Sequence, residues 1–201
     1  MKKYFLSFVL MASCTFAFTQ SNLLSSINES RFDIQRKGML VLGSWALGNM
    51  AIGAIRLGQT TGEDKAFQQM QIGWSLINMT IATWGYFGTQ NTDYLTWDTY
   101  QSVHEHYKMQ KILLFNAGLD VGYMLGGAYL MERGKREVKN AERLRGFGRS
   151  ILLQGAFLFV FDVSLHTILS NNNSKFKPIL NQSSIGFAPN EVHLRIALSK
   201  P

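Results

Sequence analysis

The stretch WALGNMAIG, Trp45–Gly53, is apolar enough to lie in a bilayer, yet it holds an amide, Asn49, at its centre. Further on, WSLINMTIA, Trp74–Ala82, places Asn78 at the matching position. The two stretches share Trp, Leu, Asn, Met and Ile in register, and LDVG around Asp120 is echoed by FDVS around Asp162. This repetition suggests an old pairing of antiparallel helices, as in the inverted repeats of transporters. Similar packing demands on the two helices would produce the same pattern.

Working outward, 46% of the 201 residues are hydrophobic and only 16% are charged, which leans towards a membrane protein. The mean hydropathy of -0.01 is neutral, but the apolar residues collect in blocks with charged residues between them. Four helical spans are predicted, at about 39–57, 66–87, 111–131 and 150–169. Each has about 20 residues, which at ~1.5 Å per residue matches a ~30 Å hydrocarbon layer. In the fourth, Ile, Leu, Phe and Val residues at roughly -0.5 kcal/mol each outweigh roughly +3 kcal/mol for Asp162. A soluble bundle would show charged helix faces, and these blocks do not. The expected fold class is all-α, a polytopic four-helix transmembrane bundle over residues 39–170.

The chain opens MKKYFLSFVLMASCTFAFTQS, in which Lys2 and Lys3 precede a short apolar run and small residues. This predicts a signal peptide over 1–19 and an extracytoplasmic segment over 20–38. LMASC offers a lipoprotein alternative at Cys14. Ordinary cleavage would remove the chain's one cysteine, leaving no thiol chemistry. The formal charge of +7 is concentrated in ERGKREVKNAERLRGFGR, Glu132–Arg149. The positive-inside rule accounts for that cluster without a nucleic-acid partner. It places this connector in the cytoplasm, residues 88–110 and the tail 171–201 outside, and the chain in a bacterial inner membrane. Arg31, Arg36 and Lys37 oppose this orientation. The tail alternates Val192, Leu194, Ile196 and Leu198 after a turn at APNE, predicting a short extramembrane β-hairpin that could contact another protein. In DTYQSVHEHYKMQ, His104 and His106 point to different sides of a helix, so solvated surface is favoured over a metal site. No cofactor or metal is predicted.

Asn49, Asn78, Asp120 and Asp162 fall about 10–13 residues into their spans, which predicts one polar layer at mid-membrane. Asn116 and His166 lie one turn from Asp120 and Asp162, on the same helix faces. Either these groups hydrogen-bond across the bundle as structural glue, or the aspartates hold a proton or cation. Gly118, Gly122 and Gly126 form a ridge opposite Asp120 that suits a homodimer contact or a neighbouring span.

KILLFNAGLDVGYMLGGAYL, RGFGRSILLQGAFLFVFD and WALGN resemble an uncharacterised four-helix membrane-protein family common in Bacteroidota. The resemblance implies a bacterial inner-membrane protein and carries no activity. GxSxG, HExxH, GxxxxGK[ST] and CxxC are all missing. An intramembrane enzyme built on Asp162 and His166 would have no substrate signature. The expected function is a non-enzymatic structural or scaffolding role. The alternative is a small transporter or channel in which Asp120 and Asp162 bind a proton or cation, completed by Asn49, Asn78, Asn116 and His166.

Overall fold

A computed structural model gives the backbone of residues 2–136, 138–177, 183–188 and 191–196, and describes side chains over 23–136 and 138–177. The side chains of the expected signal peptide, Cys14 among them, and those of the tail beyond Lys177 lie outside the described residues. Four long helices build the fold: α1 Lys2–Leu57, α2 Gly62–Asn91, α3 Thr99–Arg133 and α4 Ala141–Asn171. The shortest, α2, has 30 residues. At ~1.5 Å per residue it is ~45 Å long, enough to cross a ~30 Å hydrocarbon layer and project beyond it. From Lys2 onward the expected signal peptide, the segment 20–38 and the span 39–57 run as one unbroken helix, α1.

The helix ends have local causes. Asp98 caps α3, its carboxylate accepting the Gln101 backbone N–H at 2.7 Å. Gly134 closes α3 by donating its N–H to the Leu130 carbonyl at 2.9 Å. Gly62 starts α2 at φ +56°, in the left-handed region that favours glycine. Glu63 and Asp64 follow, placing negative charge where the helix dipole is positive.

Helix α1 packs mainly on α2, α3 packs mainly on α4, and α2 joins the two pairs through α4. Where the connectors 58–61 and 134–140 lie, Glu63 accepts Arg145 Nε at 2.7 Å and Arg149 Nη1 at 3.1 Å. Arg145 also donates to the Gly134 carbonyl at 2.7 Å, tying α2, α3 and α4 together. At that end glycines replace side chains in the seam. A Cβ on Gly148 would sit 2.5 Å from the Gly127 carbonyl oxygen, so these backbones touch. At the opposite end, Asn28 Nδ2 donates to Ser102 Oγ at 2.8 Å. Leu24 and Ile27 there cluster with Phe176 and Val103.

Among the described residues, buried polar side chains outnumber buried apolar ones. On α2 the buried stripe is Gln68, Gln71, Ser75, Asn78 and Ala82, alternating three- and four-residue steps as on the seam of a helical bundle. Large apolar side chains point outward instead. Trp84 is 79% exposed, Phe115 68% and Leu125 67%. This polarity is the inverse of a water-soluble core.

Three expectations are corrected. Two helical segments, Leu23–Leu57 and Ala141–Phe176, are long and apolar enough to cross a membrane, at mean hydropathies of 1.5 and 1.7. Helices α2 and α3 do not meet that measure. The fold class is plain all-α, and a two-stranded tail does not define it: the packed interior of the described residues is made by helices and the turn after α4. Residues 183–188 and 191–196 pair antiparallel with each other. Finally, His106 is not solvated surface but fully buried, while His104 is exposed.

The Glu63 clasp gives a signed pH dependence. The Arg145 hydrogen bond, helped by Arg149, holds the Glu63 carboxyl below its usual value of 4.5. Its contribution to stability is therefore present above pH 4.5 and lost as pH falls through the lowered value. Thermal melts of wild type and Glu63→Gln should differ at pH 7 and converge as the pH falls through the lowered value, well under 4.5. A constant difference across that range would show that the clasp does not depend on the carboxylate.

Candidate functional site

The repeated asparagines converge on a pair of buried glutamines. Gln71 on α2 and Gln154 on α4 are 3% and 0% exposed. Gln154 Nε2 donates to Gln71 Oε1 at 2.9 Å, and Ser150 Oγ donates to the same oxygen at 2.7 Å. Gln71 Nε2 then donates to Asn49 Oδ1 at 2.8 Å, and Asn49 Nδ2 returns to the Trp45 carbonyl at 2.8 Å. Trp45 Nε1 donates to Gln154 Oε1 at 2.9 Å, closing a circuit through α1, α2 and α4. Asn78 Nδ2 reaches that oxygen at 3.3 Å. The Trp45 indole is further fixed by stacking on Phe157, with centroids 4.0 Å apart and an interplanar angle of 5°. Trp74, its counterpart in the repeat, packs edge-on against Tyr123 of α3 at 5.0 Å.

The carboxyl groups form a separate feature. Asp120 and Asp162 are both buried and close enough for their carboxyls to interact between α3 and α4. Two carboxyls can share a hydrogen bond only when one of them holds a proton. Asp120 Oδ2 is buried with no partner. Along α4, Asp162 is about two turns from Gln154, or ~12 Å. The single layer expected from sequence is thus two sites, an amide circuit among α1, α2 and α4 and a carboxyl pair between α3 and α4. Asn116 and His166 are half-buried and make no side-chain hydrogen bond among the described residues. Gly118, Gly122 and Gly126 face outward, with open space where a Cβ would sit.

A third polar cluster closes the end of the bundle nearest Ser102. His106 Nε2 donates to Asn173 Oδ1 at 2.7 Å, and Gln110 Nε2 donates to the same oxygen at 2.8 Å. Burial pushes the His106 imidazole below its usual value, against the pull of Asn173. Sequence reasoning missed Gln71, Ser150, Gln154, Gln110 and His106. Their stepping by three and four with the asparagine and the aspartates was the signal that could have found them.

A family model described as "Family of unknown function (DUF6992)" matches residues 41–163, a range that holds the amide circuit and both aspartates. No curated protein and no solved structure matches the chain. The chain belongs to the DUF6992 family of unknown function.

The circuit's energetic role is testable by contrast. Gln154→Leu would strand the Trp45 and Asn78 donors, at about 1–3 kcal/mol for each buried group left unmade. Ser75 is equally buried, but its hydroxyl already lacks a partner, so Ser75→Ala should be neutral or stabilising. Thermal unfolding in detergent checks both. Equal losses for the two variants would mean that packing volume, not hydrogen bonding, dominates.

Proposed function

We propose that this family member is an integral membrane bundle with a non-enzymatic, structural or scaffolding role. The observation that carries the reading is the inverted polarity: amides, hydroxyls and carboxyls face inward while large apolar side chains face outward. Water would reverse that arrangement, and lipid favours it. Helices α2 and α3 enter the membrane with the two more apolar helices, because their outward faces carry Ile77, Ile81, Trp84, Leu114, Phe115 and Leu125. The Arg-rich connector lies on the cytoplasmic side of a bacterial inner membrane, as the positive-inside rule prefers. The outward Gly118, Gly122 and Gly126 ridge is the proposed self-association face, and the tail beyond Lys177 is the proposed contact for another protein.

A closed amide circuit is suited to holding helices in register, because every amide nitrogen in it already donates to an acceptor within the protein. The carboxyl pair supports a second reading, a proton- or cation-binding protein, through the one observation that Asp120 Oδ2 is buried without a partner.

Two steps test these readings. The chain should stay with membranes through alkaline carbonate washing and be released only by detergent. Recovery in the carbonate supernatant would overturn the membrane reading. In proteoliposomes carrying a pH gradient, the scaffold reading predicts no dissipation beyond that of empty vesicles. Dissipation by wild type that is abolished in the Asp120→Asn, Asp162→Asn double variant would establish the second reading.

A further inference from the structure

Arg31 is the group that the amide circuit and the carboxyl pair leave unused. It sits on α1 at the Ser102 end of the bundle and is only 2% exposed, an unusual state for a guanidinium, which stays charged in proteins. Its Nε is buried with no hydrogen-bond partner. Among the described residues it forms no ion pair. The cation lies 4.6 Å from the Phe32 ring centroid and 4.8 Å from that of Trp97, which hold it without neutralising it. The nearest acidic influence is Glu105 of α3, whose carboxylate is engaged by Lys108 at 3.0 Å. A buried cation with spare donors calls for an anion.

Arg31 lines a cleft of about 410 Å³ between α1, α2 and α3 that also takes in Trp97, Glu105 and Lys108. Arg31, Lys108 and Glu105 together leave one net positive charge, which one phosphodiester would balance. Besides Gln35, Thr89 and Thr92, the rest of the lining is apolar, with Met39, Gly88, Met109 and Ile112 in its floor. A Cβ on Gly88 would meet nothing within 4 Å, so the floor beside it is open. Polar mouth and apolar floor together have the chemistry of an amphiphile, which a free phosphate would fill only in part.

We infer that this cleft binds one anionic phospholipid, with the headgroup phosphate on Arg31 and an acyl chain along Gly88 of α2, beside Met39. This rests on the membrane reading above and goes beyond it by naming a ligand class and a residue. Arg31 would then place the Ser102 end of the bundle at headgroup depth, and the bound lipid would fill the gap where α1 and α2 meet α3.

The test is native mass spectrometry of the full chain, extracted in mild detergent and titrated with dioleoyl phosphatidylglycerol. Inorganic phosphate serves as competitor in a separate arm. Wild type should carry one lipid per chain, and Arg31→Gln should lower that occupancy at least tenfold. Arg31→Lys should fall between them, since an ammonium keeps the charge and loses the fork of donors. Gly88→Leu leaves the charge untouched and fills the floor, so it should also lower occupancy, and it keeps the test decisive should Arg31→Gln fail to fold. Millimolar phosphate should not displace the lipid. Equal occupancy in wild type and Gly88→Leu, or displacement by phosphate alone, would overturn the proposal. A membrane-bound chain that retains no lipid defeats this inference alone, whereas a chain soluble without detergent defeats the membrane reading with it.

Discussion

The structure depends on one constraint: a buried amide away from water must find its partners within the protein. Gln154 meets it by giving a hydrogen to Gln71 and accepting from Trp45 and Asn78. These bonds fix how α1, α2 and α4 are rotated about their own axes, because each comes from a stated position on a stated helix face. Once those rotations are fixed, the outward faces are fixed too. Trp84, Ile81 and Ile55 have no other direction to take. The polar interior and the apolar exterior are therefore one decision, made at the glutamines.

Small residues draw the other pair of helices together. Gly148 against Gly127 and Gly155 against the Asp120 carbonyl let α3 and α4 approach at backbone distance. In the proposed membrane setting close approach matters, because in lipid the hydrophobic effect does not drive helix association and packing must do so. The two ends use different chemistry. One is clasped by Glu63, Arg145 and Arg149, and the other by neutral side chains, Asn28 with Ser102 and His106 with Asn173. An ion pair at the end bearing the Arg-rich connector suits a solvated surface, where its charges keep part of their hydration.

Much of this was legible in the sequence, and the failures share a cause. The repeat around Trp45 and Trp74 revealed Asn49 and Asn78, because an asparagine in an oily run stands out. Gln71 and Gln154 did not stand out, since glutamine is an ordinary helix-surface residue and only the three- and four-residue steps to Asn78 and Asp162 mark it as inward. Depth counted from span starts put Asp120 and Asp162 level with the asparagines. That count assumed equal helices, whereas the real ones range from 30 to 56 residues and are staggered. His106 was misplaced for a related reason: the turn after α4 folds back over α3 and covers it, which helical periodicity cannot anticipate.

The most direct test of the inverted polarity is spin-label accessibility in reconstituted bilayers. With Cys14 replaced by serine, single cysteines at Phe115, Ile81 and Gln154 would each carry a nitroxide. The account predicts that labels at Phe115 and Ile81 relax strongly with oxygen and weakly with a water-soluble nickel chelate, while the label at Gln154 is immobile and shielded from both. Strong nickel relaxation at Phe115 and Ile81 would contradict it, because those faces would then lie in water.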